Sequence, residues 1–294
     1  MEIMTKKSIL GFTWILAIVN CTFAQSPDGA KAEYTFMPRN SSAAQTARLK
    51  LVANFPIKLK KEQIIFLGAE YNGYKYTLDK DVPFDDHKLG NFQLFDFNMG
   101  YSLMWNKDWR FIGVVTPRLM STFTEGVKNR DFKVNATVAF FKERKDIDQP
   151  FRLVLGLTYN TNNNLKLPLP LVYYEKRFRP NWSFTLGIPK NDLKYYITEK
   201  HILLTELLLD GYFVNVQGNI TLPNNYVATD ISSTALVSLV GYQYKFTKLM
   251  SVYGYVGSTL YQKGDLKDEN GNEVFSLNDK QSIYLRTGFK IGIF

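Results

Sequence analysis

The chain has 294 residues, a net charge of +9, 15% aromatic residues, one cysteine and two histidines. So few thiols and imidazoles leave little for metal clusters or nucleophilic triads, and no glycine-rich phosphate loop points to a nucleotide. No repeat of 20–50 residues and no linker divides the sequence, so a single domain is expected.

At the N-terminus, Lys6 and Lys7 precede an uncharged apolar run from Ile9 to Val19, followed by Thr22-Phe23-Ala24 and the polar Gln25-Ser26-Pro27. This is the order of a secretory signal peptide, and the run is shorter than the roughly 20 residues of a membrane helix. The expected organisation is a signal peptide at 1–24 and one domain at 25–294, starting at Gln25. A lipid anchor on Cys21 is the competing reading, but Asn20 is not the small residue that lipidation wants before the cysteine. Cleavage after Ala24 removes the only cysteine, so the mature chain holds together in an oxidising compartment without disulfides. It also lowers the net charge to +8, because two lysines and one glutamate leave. Every later apolar stretch is broken by charges or Pro within a dozen residues, which excludes a transmembrane helix.

The rest of the chain reads as strands. Eighteen Tyr, 22 Phe and four Trp suit pleated surfaces. Over 48–59, Leu49, Leu51, Ala53, Phe55, Ile57 and Leu59 alternate with Arg48, Lys50, Val52, Asn54, Pro56 and Lys58. A two-residue repeat of that length exceeds the usual globular strand of about 5–6 residues and matches a tilted membrane strand of roughly 9–11. It recurs at Phe95, Phe97, Met99, Tyr101, Leu103, Trp105; at Phe132, Val134, Ala136, Val138, Phe140; at Phe151, Leu153, Leu155, Leu157, Tyr159; and from Ile283 to Ile293. Repeated long alternation is the signature of an outer-membrane β-barrel.

Short turns at 60–61, 106–108, 179–180, 199–200 and 247–248, with a longer one at 143–150, alternate with longer polar segments at 39–45, 78–90, 124–131, 161–165, 217–233 and 263–280. Short periplasmic turns and long outer loops predict strands at 31–38, 46–59, 62–77, 91–105, 109–123, 132–142, 151–160, 166–178, 181–188, 191–198, 201–216, 234–246, 249–262 and 281–294. The fold expected is all-β, a single transmembrane antiparallel up-and-down barrel of 14 strands. The weak stretch is 182–198, whose two eight-residue strands would end below the outer rim; merging them gives the alternative of 12. Residues 202–209, with five leucines, admit a short helix, but Phe213 and Val214 continue an extended pattern and favour a strand.

The ending Phe23-Ala24-Gln25, the segment Thr185-Leu186-Gly187-Ile188-Pro189 followed by Tyr195-Tyr196, and the closing strand ending in Phe294 resemble a family of Bacteroidetes outer-membrane β-barrels with a domain of unknown function. The resemblance spans most of the mature chain. It implies a barrel, porin-like in form, in the outer membrane of a Gram-negative bacterium, and implies no activity. A terminal Phe is read by the barrel assembly machinery, although Phe294 lies on the opposite parity to Phe289, Ile291 and Ile293.

Alternation assigns Leu51, Phe55, Phe97, Leu103, Val134, Val138, Leu153, Leu155, Leu285 and Phe289 to the lipid face. The opposite parity places Arg48, Lys50, Arg110, Arg118, Lys133, Arg152, Arg286 and Lys290 on the inner wall, with Glu70 and Asp96 the clearest acids there. Such a wall either pairs with carboxylates to fill the barrel or, in an open lumen, concentrates anions. A pore or transporter for small anionic solutes therefore stands first, and a structural or surface-binding envelope barrel second. A barrel lipid hydrolase comes last, since His87 beside Asp85 and Asp86 reads as a solvated acidic loop and His201 as a rim residue. Asp265, Asp268, Glu269, Asn270 and Asp279 lack the alternating spacing of a Ca²⁺ loop. Expected partners are outer-membrane lipid and lipopolysaccharide, the assembly machinery and small anions, with no nucleic acid, no cofactor, no metal and no catalysis. The mature protein is expected to fractionate with outer membranes and to change gel mobility on boiling; recovery as a soluble periplasmic protein would end the barrel reading.

Overall fold

The computed structural model describes residues 28–39, 44–60, 62–78, 82–85, 87–145, 147–161, 167–223 and 225–293; the signal segment with Cys21, and also Asp86 and Phe294, lie outside them. The strands are β1 (Asp28–Met37), β2 (Ala44–Lys60), β3 (Gln63–Leu78), β4 (Asn91–Met104), β5 (Trp109–Ser121), β6 (Phe132–Arg144), β7 (Phe151–Tyr159), β8 (Leu169–Arg179), β9 (Trp182–Gly187), β10 (Lys190–Tyr196), β11 (His201–Thr221), β12 (Val227–Lys245), β13 (Met250–Lys267), β14 (Glu273–Asn278) and β15 (Ile283–Gly292). Neighbours in sequence pair antiparallel from β1 to β13, and β15 pairs with both β13 and β1, so the sheet closes on itself. The ring has fourteen strands. β14 stands outside it, paired with the upper end of β13. Among the described residues no helix is long and apolar enough to cross a membrane.

Alternation sets which face each strand shows. Along β2, Leu49, Leu51, Phe55, Ile57 and Leu59 are exposed, while the charged parts of Arg48 and Lys50 are largely covered. Around the ring the same parity leaves Phe97, Val134, Val138, Leu155, Val172, Leu207, Val240, Val256 and Leu285 on the outside. This apolar outer belt suits hydrocarbon, where a closed barrel leaves no strand edge to hydrate. Leu103, Leu153 and Phe289 share that parity but are half-buried. Glycine serves the wall at Gly156, where a Cβ would stand 2.2 Å from the Val138 carbonyl oxygen.

Residues 202–209 are strand. They pair with β10 on one side and β12 on the other, so Ile202, Leu204 and Glu206 turn inward while Leu203, Leu207 and Leu209 face out. The five leucines thus divide between two faces, which a helix would not do. The short pair at 182–198 is two strands, of six and seven residues.

Two segments expected as outer loops prove to be largely sheet. β11 runs to Thr221 and β12 starts at Val227, which builds a hairpin across most of 217–233. β13 continues to Lys267 and pairs there with β14, inside 263–280. The reason is burial: Ile220, Leu222, Ala228, Ile231, Leu266 and Leu277 are all 3% exposed or less. Their partners lie on β3 to β5, far away in sequence, so the local pattern of single apolar residues among polar ones resembled a loop.

Parity generates a direct prediction on β6. Val138 is 48% exposed on the outer face, whereas Thr137 lines the interior beside Thr158, at 2.9 Å. Val138→Arg should cost roughly 2–4 kcal/mol of folding free energy and Thr137→Arg much less, as measured by urea unfolding in lipid vesicles.

Candidate functional site

Inside the wall lies a cavity of about 1050 Å³. Eleven basic residues line it against five acidic ones, Asp28, Glu33, Glu70, Glu206 and Asp210. Most of the basic residues in its middle are paired. Arg48 reaches Asp210 at 2.9 Å and also donates to the Tyr74, Tyr284 and Thr35 hydroxyls. Arg286 meets Glu206 at 2.8 Å, with Glu33 on its other side at 3.9 Å. Lys50 pairs with Glu70 at 2.5 Å. Arg118 and Asp96, both buried, form a two-pronged pair. Arg152 bridges Glu143 and Glu175, and Lys194 joins Glu175 and Asp192. In a low-dielectric shell each charge needs such a partner, because a lone buried ion costs several kcal/mol.

The lower part of the cavity, walled by Lys245, Lys248, Met250 and Gly292 near the β12–β13 turn and the end of β15, is different. Lys245 and Lys290 have no carboxylate at ion-pairing distance among the described residues; each rests over an aromatic ring, Tyr196 and Tyr253 respectively. Basic side chains without a carboxylate partner among the described residues therefore gather at this end of the cavity.

At the opposite end, among the described residues, a packed apolar layer lies across the lumen. The upper halves of β11 and β12 fold over the mouth and pack on the tops of β3, β4 and β5. Phe92, Met120, Val214, Ala228, Ile231 and Leu266 are completely buried there, and the Tyr74, Phe92 and Tyr212 rings lie 4.7–4.9 Å apart. Polar ties hold this cap down. Asp131, fully buried, accepts from Asn215 Nδ2 and Gln217 Nε2, both at 2.7 Å, and from the Lys128 N–H. Gln217 also donates to the Gly126 carbonyl and accepts from the Glu125 N–H. Thr122 N–H donates to the Asn215 carbonyl, and Lys88 reaches the Gly218 carbonyl.

Of the basic residues assigned inward by parity, Arg48, Lys50, Arg118, Arg152, Arg286 and Lys290 line the cavity. Arg110 and Lys133 are not among its lining residues, because each sits near a strand end rather than at mid-height. Arg110 donates to the Glu62 carbonyl and the Ser102 hydroxyl near the β4–β5 turn. Lys133 stands at the top of β6, in the field of Asp230. Glu70 and Asp96 do pair with inward cations, but Glu33, Glu175, Asp192, Glu206 and Asp210 join them beyond the two acids expected. Parity could have found Glu206 and Asp210, which share a face with Ile202 and Leu204. Asp131 carries no such signal, since it precedes its strand and its partners are more than eighty residues away.

The remaining polar candidates are local. His201 shares a hydrogen bond with the Tyr242 hydroxyl. His87 is exposed, with Asp85 at 4.0 Å. Asp268 anchors the Asn270-Gly271 turn: its carboxylate accepts from the Asn272 side chain and from the Asn270 and Asn272 N–H groups, which holds it below the usual carboxylate range. Among the described residues no three His, Cys, Asp or Glu side chains gather as a metal site.

A closed antiparallel ring with an apolar belt outside and ion pairs inside defines the class: a transmembrane β-barrel of the outer-membrane type. The chain belongs to the family described as Domain of unknown function (DUF6268), which matches residues 24–292. No curated protein matches it in sequence. Among solved structures it is similar to the NanC porin (9% identity, TM-score 0.37, covering 90% of this chain and 100% of that one). It is also similar to LpxR from Salmonella typhimurium (7%, 0.39, 90% and 100%) and to outer membrane phospholipase A from Escherichia coli (9%, 0.38, 91% and 93%).

The network makes Arg48 the test of interior pairing. Arg48→Met leaves Asp210 charged without its main partner and should cost about 3 kcal/mol. Adding Asp210→Asn removes that charge while keeping an acceptor for Tyr284, which donates to Asp210 at 2.7 Å. Part of the loss should return, as read from urea midpoints of the two variants; equal midpoints would contradict the coupling.

Proposed function

We propose that this chain is an outer-membrane barrel that binds small anions from the periplasmic side and is closed to the outside by its cap, a gated transporter rather than an open pore. The observation that carries this reading is the excess of basic over acidic residues around one cavity, eleven against five, beneath a sealed apolar layer. Low-dielectric walls focus such a field, which draws in anions and repels cations. The ion pairs across mid-lumen favour a second reading, a structural barrel whose charges only hold its walls together.

Wild-type protein in planar bilayers should show almost no steady conductance. Asp131→Ala with Gln217→Ala removes the side-chain ties of Asp131 and Gln217 between the cap and the β5–β6 loop and should produce openings that favour anions. That preference should fade at 1 M salt, where the Debye length falls to about 3 Å. A steady wild-type pore or a cation-selective variant overturns the gated reading; a folded variant that stays silent favours the structural barrel.

A further inference from the structure

The barrel wall is not of even height. β9 and β10 have six and seven residues, where a tilted membrane strand needs roughly 9–11. Their tip at Ile188-Pro189 therefore stops part of the way up the apolar belt. Ile188 is 56% exposed, its N–H bonded to the Val172 carbonyl on one flank, while the Leu209 N–H bonds the Pro189 carbonyl on the other. Above the tip, Leu169 to Leu171 of β8 pair only with β7, and Asp210 to Val214 of β11 only with β12, among the described residues. The result is a notch in the half of the belt that lies nearer the cap.

The cavity extends to this notch. Its lining includes Leu171, Ile188 and Leu209, which belong to the notch rim, together with Lys190 and Lys194 just below. Unpaired backbone at membrane depth is tolerated where it borders a cavity instead of lipid, and Pro170 and Pro189 contribute no N–H to the edge. Apolar rim and basic interior thus meet within one continuous space. Lys290 lines the same cavity.

We propose that the notch is a lateral portal through which a single-chain anionic amphiphile, a long-chain carboxylate dissolved in the outer leaflet, enters the lumen. Its tail lies on Leu171, Ile188 and Leu209, and its carboxylate reaches Lys290. One chain suits a cavity at the upper end of the ordinary ligand-pocket range of roughly 300–1,000 Å³; a glycolipid with many chains does not. The portal supplies the substrate class of the anion site described above and rests on that reading.

The test uses the protein in lipid vesicles with Leu209→Trp as a reporter, its quenching taken as the difference from the protein without that substitution. Dibromostearate should quench it saturably, while its methyl ester should give only the linear quenching of bilayer partition. Lys290→Glu, or the milder Lys290→Gln, should weaken the saturable phase about tenfold or more, the effect of losing one charge-assisted hydrogen bond. Lys290 has no carboxylate at ion-pairing distance among the described residues, so neither variant strands a buried acid and both should fold. An ester as effective as the acid, or no response to either Lys290 variant, overturns the portal. If stearate fails while the cap variant still conducts anions, the portal is lost and the anion cavity stands.

Discussion

Hydrocarbon offers no hydrogen bonds, so a chain that crosses it as strands must pair its own backbone throughout or hide what it leaves unpaired. Everything else in this barrel depends on that constraint. Closure through β15, which pairs with β13 and β1, removes the free edges of the ring. Alternation then sorts each strand into a lipid face and a lumen face. The place where neighbouring strands lose each other, above the β9–β10 tip, is also where the cavity comes to the wall. Edge and cavity coincide because an edge facing lipid would cost several kcal/mol for each unsatisfied group.

The lumen obeys a second rule of the same origin. Charges turned inward by parity stand in a space too dry to leave many of them single, so most draw an opposite charge from another strand. Arg48 on β2 meets Asp210 on β11, and Arg286 on β15 meets Glu206 on the same β11. These contacts tie strands far apart around the ring, which gives the interior a rigidity that nearest-neighbour pairing alone does not. Such pairs add little net stability over an apolar filling. Their effect here is to define a polar interior with a surplus of positive charge at its lower end.

The cap separates that interior from the outside by a different kind of packing. It is an ordinary hydrophobic core, built of Phe92, Met120, Val214, Ile231 and Leu266, placed above a membrane barrel. Packed cores of this type resist small continuous deformation, because each side chain interlocks with its neighbours. The hydrogen bonds of Asp131 and Gln217 tie this layer to the β5–β6 loop.

Much of the fold was legible in the sequence, because strand parity is a local property. The two-residue period at 48–59 and its repeats, counted with the short turns, favour fourteen strands over twelve and give the side each residue faces, since a one-residue slip would put Arg48 and Lys50 into lipid. The stretch 182–198 was the ambiguous one, and pairing on both flanks makes it two strands. Depth was legible only in part: the expected strands at 109–123 and 132–142 already set Arg110 and Lys133 one residue from a strand end, while parity alone put them on the same wall as Arg48 and Arg118. The cap was not legible, because Ile220, Ala228, Ile231, Leu266 and Leu277 are scattered apolar residues in polar segments until β3, β4 and β5 are brought beneath them. The sequence by itself determined the alternation that makes a barrel. Only the tertiary structure decided that an apolar layer lies across one end of the lumen and that the wall is of uneven height, because both depend on contacts between strands remote in the chain, where no local period exists to record them.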